Sequence, residues 1–276
     1  MRYRHYGAQK PPLGAVLDRS WARAGSVVGL WVLNEAGGGS VFDLASGTRG
    51  TIDSAYSNGW TWEKSGLYAA QGVQYPNFGI NPNVTPVIMA SGFTAMFIGN
   101  ARYASEYGTG ERLFVFNKQT GSPSFNELVI LKSTINGGYT AGIGNGSSNS
   151  YLAYNPASGN SSTRDVVALT YDGTNLTLYF NGIAVASTLQ ACSVASQLPL
   201  LLGQGASNGN WGQGWWAESF LLLNAGLTAT EVASLYEQPY QMLVVPGRRF
   251  YSIPASVLYV PRNVRAVFGS PFGGAY

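Results

Sequence analysis

The stretch 164–187, RDVVALTYDGTNLTLYFNGIAVAS, constrains this chain more than any other. Val167, Leu169 and Tyr171 share one parity, and Leu176, Leu178 and Phe180 share one parity of the next run. Period-two alternation marks strands that bury one face. Asp172-Gly173 and Asn181-Gly182 separate the runs, and both pairs supply the positive φ values that tight hairpins need. The stretch therefore reads as a three-stranded antiparallel meander.

The rest of the chain offers similar material. Strands are expected over 27–33, 41–44, 49–52, 66–75, 84–89, 93–98, 113–116, 125–131, 139–143, 151–154, 198–203 and 215–224. The last is almost continuously apolar, as expected when both faces are covered. Trp60 and Trp62 alternate, which turns one of them to the core. Gly numbers 36 and charged residues are only 11% of 276, the composition of many short strands joined by turns. One helix stands out. Thr228 is its N-cap, Glu231 completes a capping box, and Pro239 stops it near Glu237. Residues 13–23 have the length for one or two helical turns. An all-β chain of this length fits one core, and every strand is compatible with one sandwich of two antiparallel sheets.

The ends differ from the middle. Residues 1–25 carry Arg2, Arg4, Lys10, Arg19 and Arg23 against Asp18 alone. Residues 237–276 carry Arg248, Arg249, Arg262 and Arg265 against Glu237. The body between them is mildly acidic. Prolines 239, 246, 254 and 261 break the C-terminal stretch into extended pieces too short to bury their own aromatics. The expected organisation is an N-terminal arm over 1–25, a sandwich over 26–237 and an extended tail over 238–276. Sparse charge among Tyr, Phe, Pro and Val favours docking onto protein over coating a phosphate backbone. In that reading Arg248, Arg249, Arg262 and Arg265 pair with an acidic partner surface, while Tyr240, Phe250 and Tyr251 fill apolar pockets. Exposed apolar tails also favour a homo-oligomer. Trp21 is expected to fold back onto the body. Cys192 is the single cysteine, so no intrachain disulfide forms. Residues 1–12 lack the apolar core of a secretory signal, and no run reaches the length of a membrane span; the expectation is a soluble protein with no membrane partner.

Catalytic patterns are scarce. His5 is the one histidine, which leaves a Ser-His-Asp site or a His/Cys metal site without ligands. No Walker or dinucleotide fingerprint fits. Glycoside hydrolysis needs two carboxylates flanking the sugar bond. Glu106, Glu111 and Glu127 are scattered and read as solvated loop charges, so no enzyme is expected. Sugar binding fits better. Trp211, Tyr151 and Tyr154 lie in or beside Gly/Asn/Ser stretches, where aromatic faces stack on sugar rings and Asn208 and Asn210 hydrogen-bond hydroxyls. The competing reading is that these aromatics pin loops to the sandwich.

Several of these segments, in order, resemble the laminin G-like, concanavalin A-like jelly-roll family. They are VALTYDGTNLTLYFNGIAVAS over 167–187, VGLWVLNE over 28–35, GFTAMFI over 92–98, LLLG over 200–203, WAESF over 216–220 and LTATEVASLY over 227–236. The resemblance covers about residues 27 to 237 and implies a jelly-roll sandwich. Two departures are plain: Arg164-Asp165 stands where the family often has Trp, and Glu218-Ser219 replaces the common Asp-Glu. The sandwich also hosts glucanases with an alternating Glu-x-Asp-x-Glu strand, and no such cluster occurs here. Calcium is the one cofactor the family suggests, and no ligand set for it stands out. Residues 234–249, SLYEQPYQMLVVPGRR, are similar to the ending common in jelly-roll proteins of tailed bacteriophages and prophages, with Tyr240 in place of the usual Trp. That resemblance implies a non-enzymatic virion protein, a capsid decoration or tail component, whose partners are the major capsid protein or tail subunits. The alternative is a carbohydrate-binding module that recognises host surface glycans.

Overall fold

The computed structural model describes residues 8–52, 60–63, 66–69, 80–81, 91–100, 112–116, 128–132, 138–144, 149–156, 164–190, 200–204 and 215–244. Expected strand 84–89, Cys192 and His5 lie outside them. The chain divides into a unit over 1–246 and a second over 247–276, and all the described residues belong to the first.

Two eight-stranded antiparallel sheets make that first unit. Across the first sheet the order is Asn149–Tyr154, Tyr139–Gly144, Leu128–Lys132, Arg112–Phe116, Leu200–Gln204, Ile80–Asn81, Arg49–Ile52 and Ser40–Phe42. Across the second it is Ile183–Leu189, Asn175–Phe180, Asp165–Tyr171, Phe93–Asn100, Trp215–Leu223, Gly66–Ala69 and Trp60–Glu63, with Val27–Trp31 also pairing Trp215–Leu223. This is a jelly-roll sandwich. The expected meander is the first three strands of the second sheet, in register Leu169↔Leu178 and Leu178↔Ala186. Its turns work as the sequence implies. Asn181 sits at φ 49° and Gly182 at φ 80°. Asp172 Oδ1 accepts the Thr174 and Asn175 N–H groups at 2.9 and 2.7 Å, closing the other turn.

Alternation sets two cores. Val167, Leu169, Tyr171, Phe93, Phe97, Phe220 and Leu222 face inward and meet Val41, Tyr139, Ile143, Leu200 and Leu202 of the first sheet. The opposite parity, Met96, Ile98, Val166, Ala168, Leu221 and Leu223, faces outward into a second core. That is why the strand Trp215–Leu223 reads as continuously apolar. Residues from both ends of the body cover this outer face. The helix Ala229–Glu237 supplies Val232 and Leu235, and the segment after it supplies Tyr240, Met242 and Leu243. Leu17 and Ala24 come from the N-terminal side, with Trp21 half-buried against them. Val16–Leu17 forms a short strand paired to Leu243–Val244, where helical turns were expected. The stretches 15–24 and 239–244 therefore belong to the packing of the body.

The helix is anchored at its N-terminus. Glu231 N–H donates to Thr228 Oγ1, and Glu231 Oε2 accepts the Thr228 N–H at 2.9 Å, the expected capping box. Arg23 adds a forked contact, Nε to Oε1 at 2.6 Å and Nη2 to Oε2 at 3.1 Å. One carboxylate thus fixes both the helix start and the N-terminal cover.

Candidate functional site

The register places many strand ends together. Gly99 pairs with both Asp165 and Ala217, which aligns three neighbouring strands of the second sheet at one end of the sandwich. Tyr139 of the first sheet reaches the same level, because its hydroxyl donates to Asp165 Oδ2 at 2.6 Å. Within the first sheet Tyr139 pairs with Lys132 and Tyr154, and Arg112 pairs with Leu131 and Gln204. In the second sheet Trp215 and Trp60 both pair with Ala69. At this end, then, strands stop or start at Ala69, Asn100, Arg112, Lys132, Tyr139, Tyr154, Asp165, Gln204 and Trp215. The connections departing from it are 70–79, 101–111, 133–137, 155–163 and 205–214. Their sequences are rich in Tyr, Asn, Ser and Gly and include Trp211, and charge appears only at Arg102, Glu106 and Glu111.

A buried polar floor underlies this end. Tyr139 and Asp165 are both fully buried, so their hydrogen bond ties one sheet to the other in a dry setting. On the outer face Arg164 Nε donates to Glu218 Oε2 at 2.5 Å, joining strands from the two sides of Phe93–Asn100. These residues are the two departures from the jelly-roll pattern, and they are each other's partners. Parity alone could have put both on the outward face; their pairing needed the register, since 54 residues separate them. Arg164 Nη2, Trp216 Nε1 and the Tyr240 hydroxyl are buried with no hydrogen-bond partner. Burial, with the Glu218 charge second, pushes the Tyr240 hydroxyl up in pKa. Lys10 approaches from the N-terminal cover and donates to the Leu33 carbonyl at 2.9 Å. Burial lowers its pKa to about 8 against the opposing pull of Glu218 and Glu35.

Of the expected sugar-binding residues, Tyr151 and Tyr154 are described. Tyr151 is 51% exposed on the edge strand Asn149–Tyr154. Tyr154, three residues on, is half-buried and packs on Phe180 of the second sheet at 5.1 Å between centroids. The two rings lie on opposite faces of the strand, so no single sugar ring stacks on both. Tyr154 fits the bland expectation, an aromatic pinning the sandwich. Trp211, Asn208 and Asn210 lie outside the described residues. Gln204, from which their segment departs, is four strands away from Tyr154 in the sheet, or about 19 Å at the usual strand spacing. Of the expected partner-anchoring residues, Arg248, Arg249, Phe250, Tyr251, Arg262 and Arg265 also lie outside the described residues. Tyr240 is corrected: at 1% exposure its ring fills the second core and is not offered to a partner.

Neither a family model nor a curated protein matches the chain. Solved structures do. The receptor binding domain of botulinum neurotoxin D is similar with a TM-score of 0.58 at 12% identity, over 78% of this chain and 53% of that one. Trypanosoma rangeli sialidase in complex with sialic acid gives 0.53 at 14%, over 84% of this chain and 34% of that one. The binding domain of Paraclostridial Mosquitocidal Protein 1 gives 0.54 at 14%, over 77% and 52%. At these identities the likeness shows the fold, a jelly-roll β-sandwich. The chain spans about a third of the sialidase and about half of each toxin domain.

Proposed function

We propose that this protein is a non-catalytic recognition module that binds glycan or a glycan-bearing receptor at the end of the sandwich where 70–79, 101–111, 133–137, 155–163 and 205–214 depart. The observation that carries the reading is the gathering of strand ends at one end of the sandwich, where the segments next in sequence, that of Trp211 among them, are nearly uncharged and rich in Tyr, Asn, Ser and Gly. Such a composition gives large, low-entropy aromatic contact beside adaptable hydrogen bonding. The similar solved structures, two of them binding domains, support the same reading. The buried acids Asp43, Asp165 and Glu218 each accept internal hydrogen bonds, which makes them framework groups and supports a role without catalysis.

Screening the full chain and Trp211→Ala on an array of neutral and sialylated glycans tests this. Selective binding that weakens at least about tenfold in the variant, with an unchanged melting temperature, is expected. Failure of the full chain to bind any glycan would sink the reading, and undiminished binding by the variant would take Trp211 out of the site.

A virion component is the second reading. It rests on the phage-like ending over 234–249 and on the sequence of residues 247–276, which carries Arg248, Arg249, Phe250, Tyr251, Arg262 and Arg265. Labelling the protein and imaging purified particles decides it. Signal on capsid or tail supports the reading, and no signal removes it.

A further inference from the structure

A cavity of about 320 Å³ opens between the N-terminal cover and the turn after the strand Ser40–Phe42. Leu13, Val16 and Phe42 line it and are all exposed, an uncommon use of large apolar side chains by an ordinary surface. Among the described lining residues the polar side chains are Asn34, Glu35 and Asp43, and none is a lysine or an arginine. Their hydrogen bonds show which of them has capacity left. The Asp43 carboxylate accepts from Leu30 N–H at 2.8 Å, from Ala45 N–H at 2.9 Å and from the Ser46 hydroxyl at 2.5 Å, so it is fully engaged. Asn34 uses its amide nitrogen as a donor to the Pro11 carbonyl at 2.9 Å. Glu35 Oε1 accepts the Phe42 N–H at 2.8 Å, but Glu35 Oε2 is buried without a partner. Lys10 is close enough to influence Glu35 electrostatically, yet its amine is bonded to the Leu33 carbonyl and is not part of the lining.

We propose that this cavity binds a small hydrophobic amine. The apolar body sits among Leu13, Val16 and Phe42, and the ammonium donates to Glu35 Oε2. An apolar cavity of about 150 Å³ holds benzene, so twice that volume admits a ring and a short aminoalkyl chain. Oε2 has no exposed surface, so the ammonium reaches it by rotation about the broad terminal torsion of the glutamate, in which the Phe42 contact of Oε1 must follow. The lining carries acceptors and negative charge, which favours a cation and disfavours an anion of the same shape. This inference stands apart from the recognition end and does not depend on it.

The test titrates the ¹⁵N-labelled full chain with phenethylamine and, separately, with 3-phenylpropionate, which shares the ring and chain but reverses the charge. Saturable amide shifts confined to residues 13–16, 32–35 and 42–47 are expected with phenethylamine, at millimolar affinity, and none with 3-phenylpropionate. Glu35→Gln keeps an acceptor for the Phe42 N–H and should weaken phenethylamine about tenfold. Val16→Trp, at an exposed position, should fill the cavity and abolish the shifts even if Glu35→Gln alters folding. No saturable shift with phenethylamine, equal binding of the anion, or binding undisturbed by either variant would overturn the proposal.

Discussion

Tyr139→Phe isolates the hydrogen bond that ties the two sheets together. The substitution removes one oxygen and leaves the ring, so packing against Phe180 at 5.8 Å is retained. What changes is the 2.6 Å contact to Asp165 Oδ2, between two side chains with no exposed surface. A hydrogen bond to a charged group contributes about 1.5–3 kcal/mol, and the carboxylate oxygen left behind keeps its desolvation cost. The expected loss is therefore about 2 kcal/mol. For a domain of this size the urea dependence is about 3 kcal/mol per molar, so the unfolding midpoint should fall by about 0.7 M with an unchanged slope. Equilibrium urea titration followed by tryptophan fluorescence measures both. Phe180→Leu serves as the packing control, because it disturbs the ring contact without touching the hydrogen bond. A midpoint shift below about 0.2 M for Tyr139→Phe would refute the claim that this contact ties the two sheets together in a dry interior.

Three further outcomes follow from the same structure. Glu231 is held at a pKa of about 2, Arg23 being the first cause, against 4.5 when unperturbed. Its stabilisation is therefore present above pH 4.5 and lost as pH falls toward 2; because the Arg23 and Glu231 side chains are about a third exposed, Glu231→Gln should cost only about 1 kcal/mol at pH 7 and flatten that acid limb in thermal melts. Lys10 loses its proton near 8 in the folded chain and near 10.5 when unfolded, so stability should rise with pH across that window by up to about 1.4 kcal/mol per unit, and Lys10→Met should remove the slope in urea titrations. Deleting 238–276 should lower the melting temperature of the body sharply, since Tyr240, Met242 and Leu243 leave the second core with it.

Much of the fold was legible because alternation and turn chemistry agree locally. The meander, the Asp-Gly and Asn-Gly turns and the Thr228/Glu231 capping box are written in neighbouring residues. Boundaries shifted by one to three residues, as at Arg112–Phe116 and Leu128–Lys132, where partner strands decide the ends. What composition hid was the covering of the outer face. Residues 13–23 have helical length, but Val16–Leu17 finds a free edge only in a segment more than 220 residues away, and no local signal reports such a pairing. Tyr240 looked like an exposed anchor for the same reason: the apolar face it fills exists only after the second sheet has formed. The polar floor was visible only as two unexplained departures, Arg164-Asp165 and Glu218-Ser219. The missed residues at the cavity, Leu13, Val16 and Phe42, carried no sequence signal, because an exposed leucine is ordinary until a neighbour is seen.

The closing pair Val16–Leu17 with Leu243–Val244 also sets the order of events on the ribosome. The outward face of the second sheet, with Met96, Ile98, Val166 and Leu221, is laid down long before its lid is translated. Until residue 244 has cleared the exit tunnel, a nascent chain holds a greasy surface with nothing to cover it. Chaperone engagement should therefore persist until residue 244 has emerged, and products that terminate before the helix and its following turn should be cleared or aggregate rather than accumulate as smaller folded sandwiches.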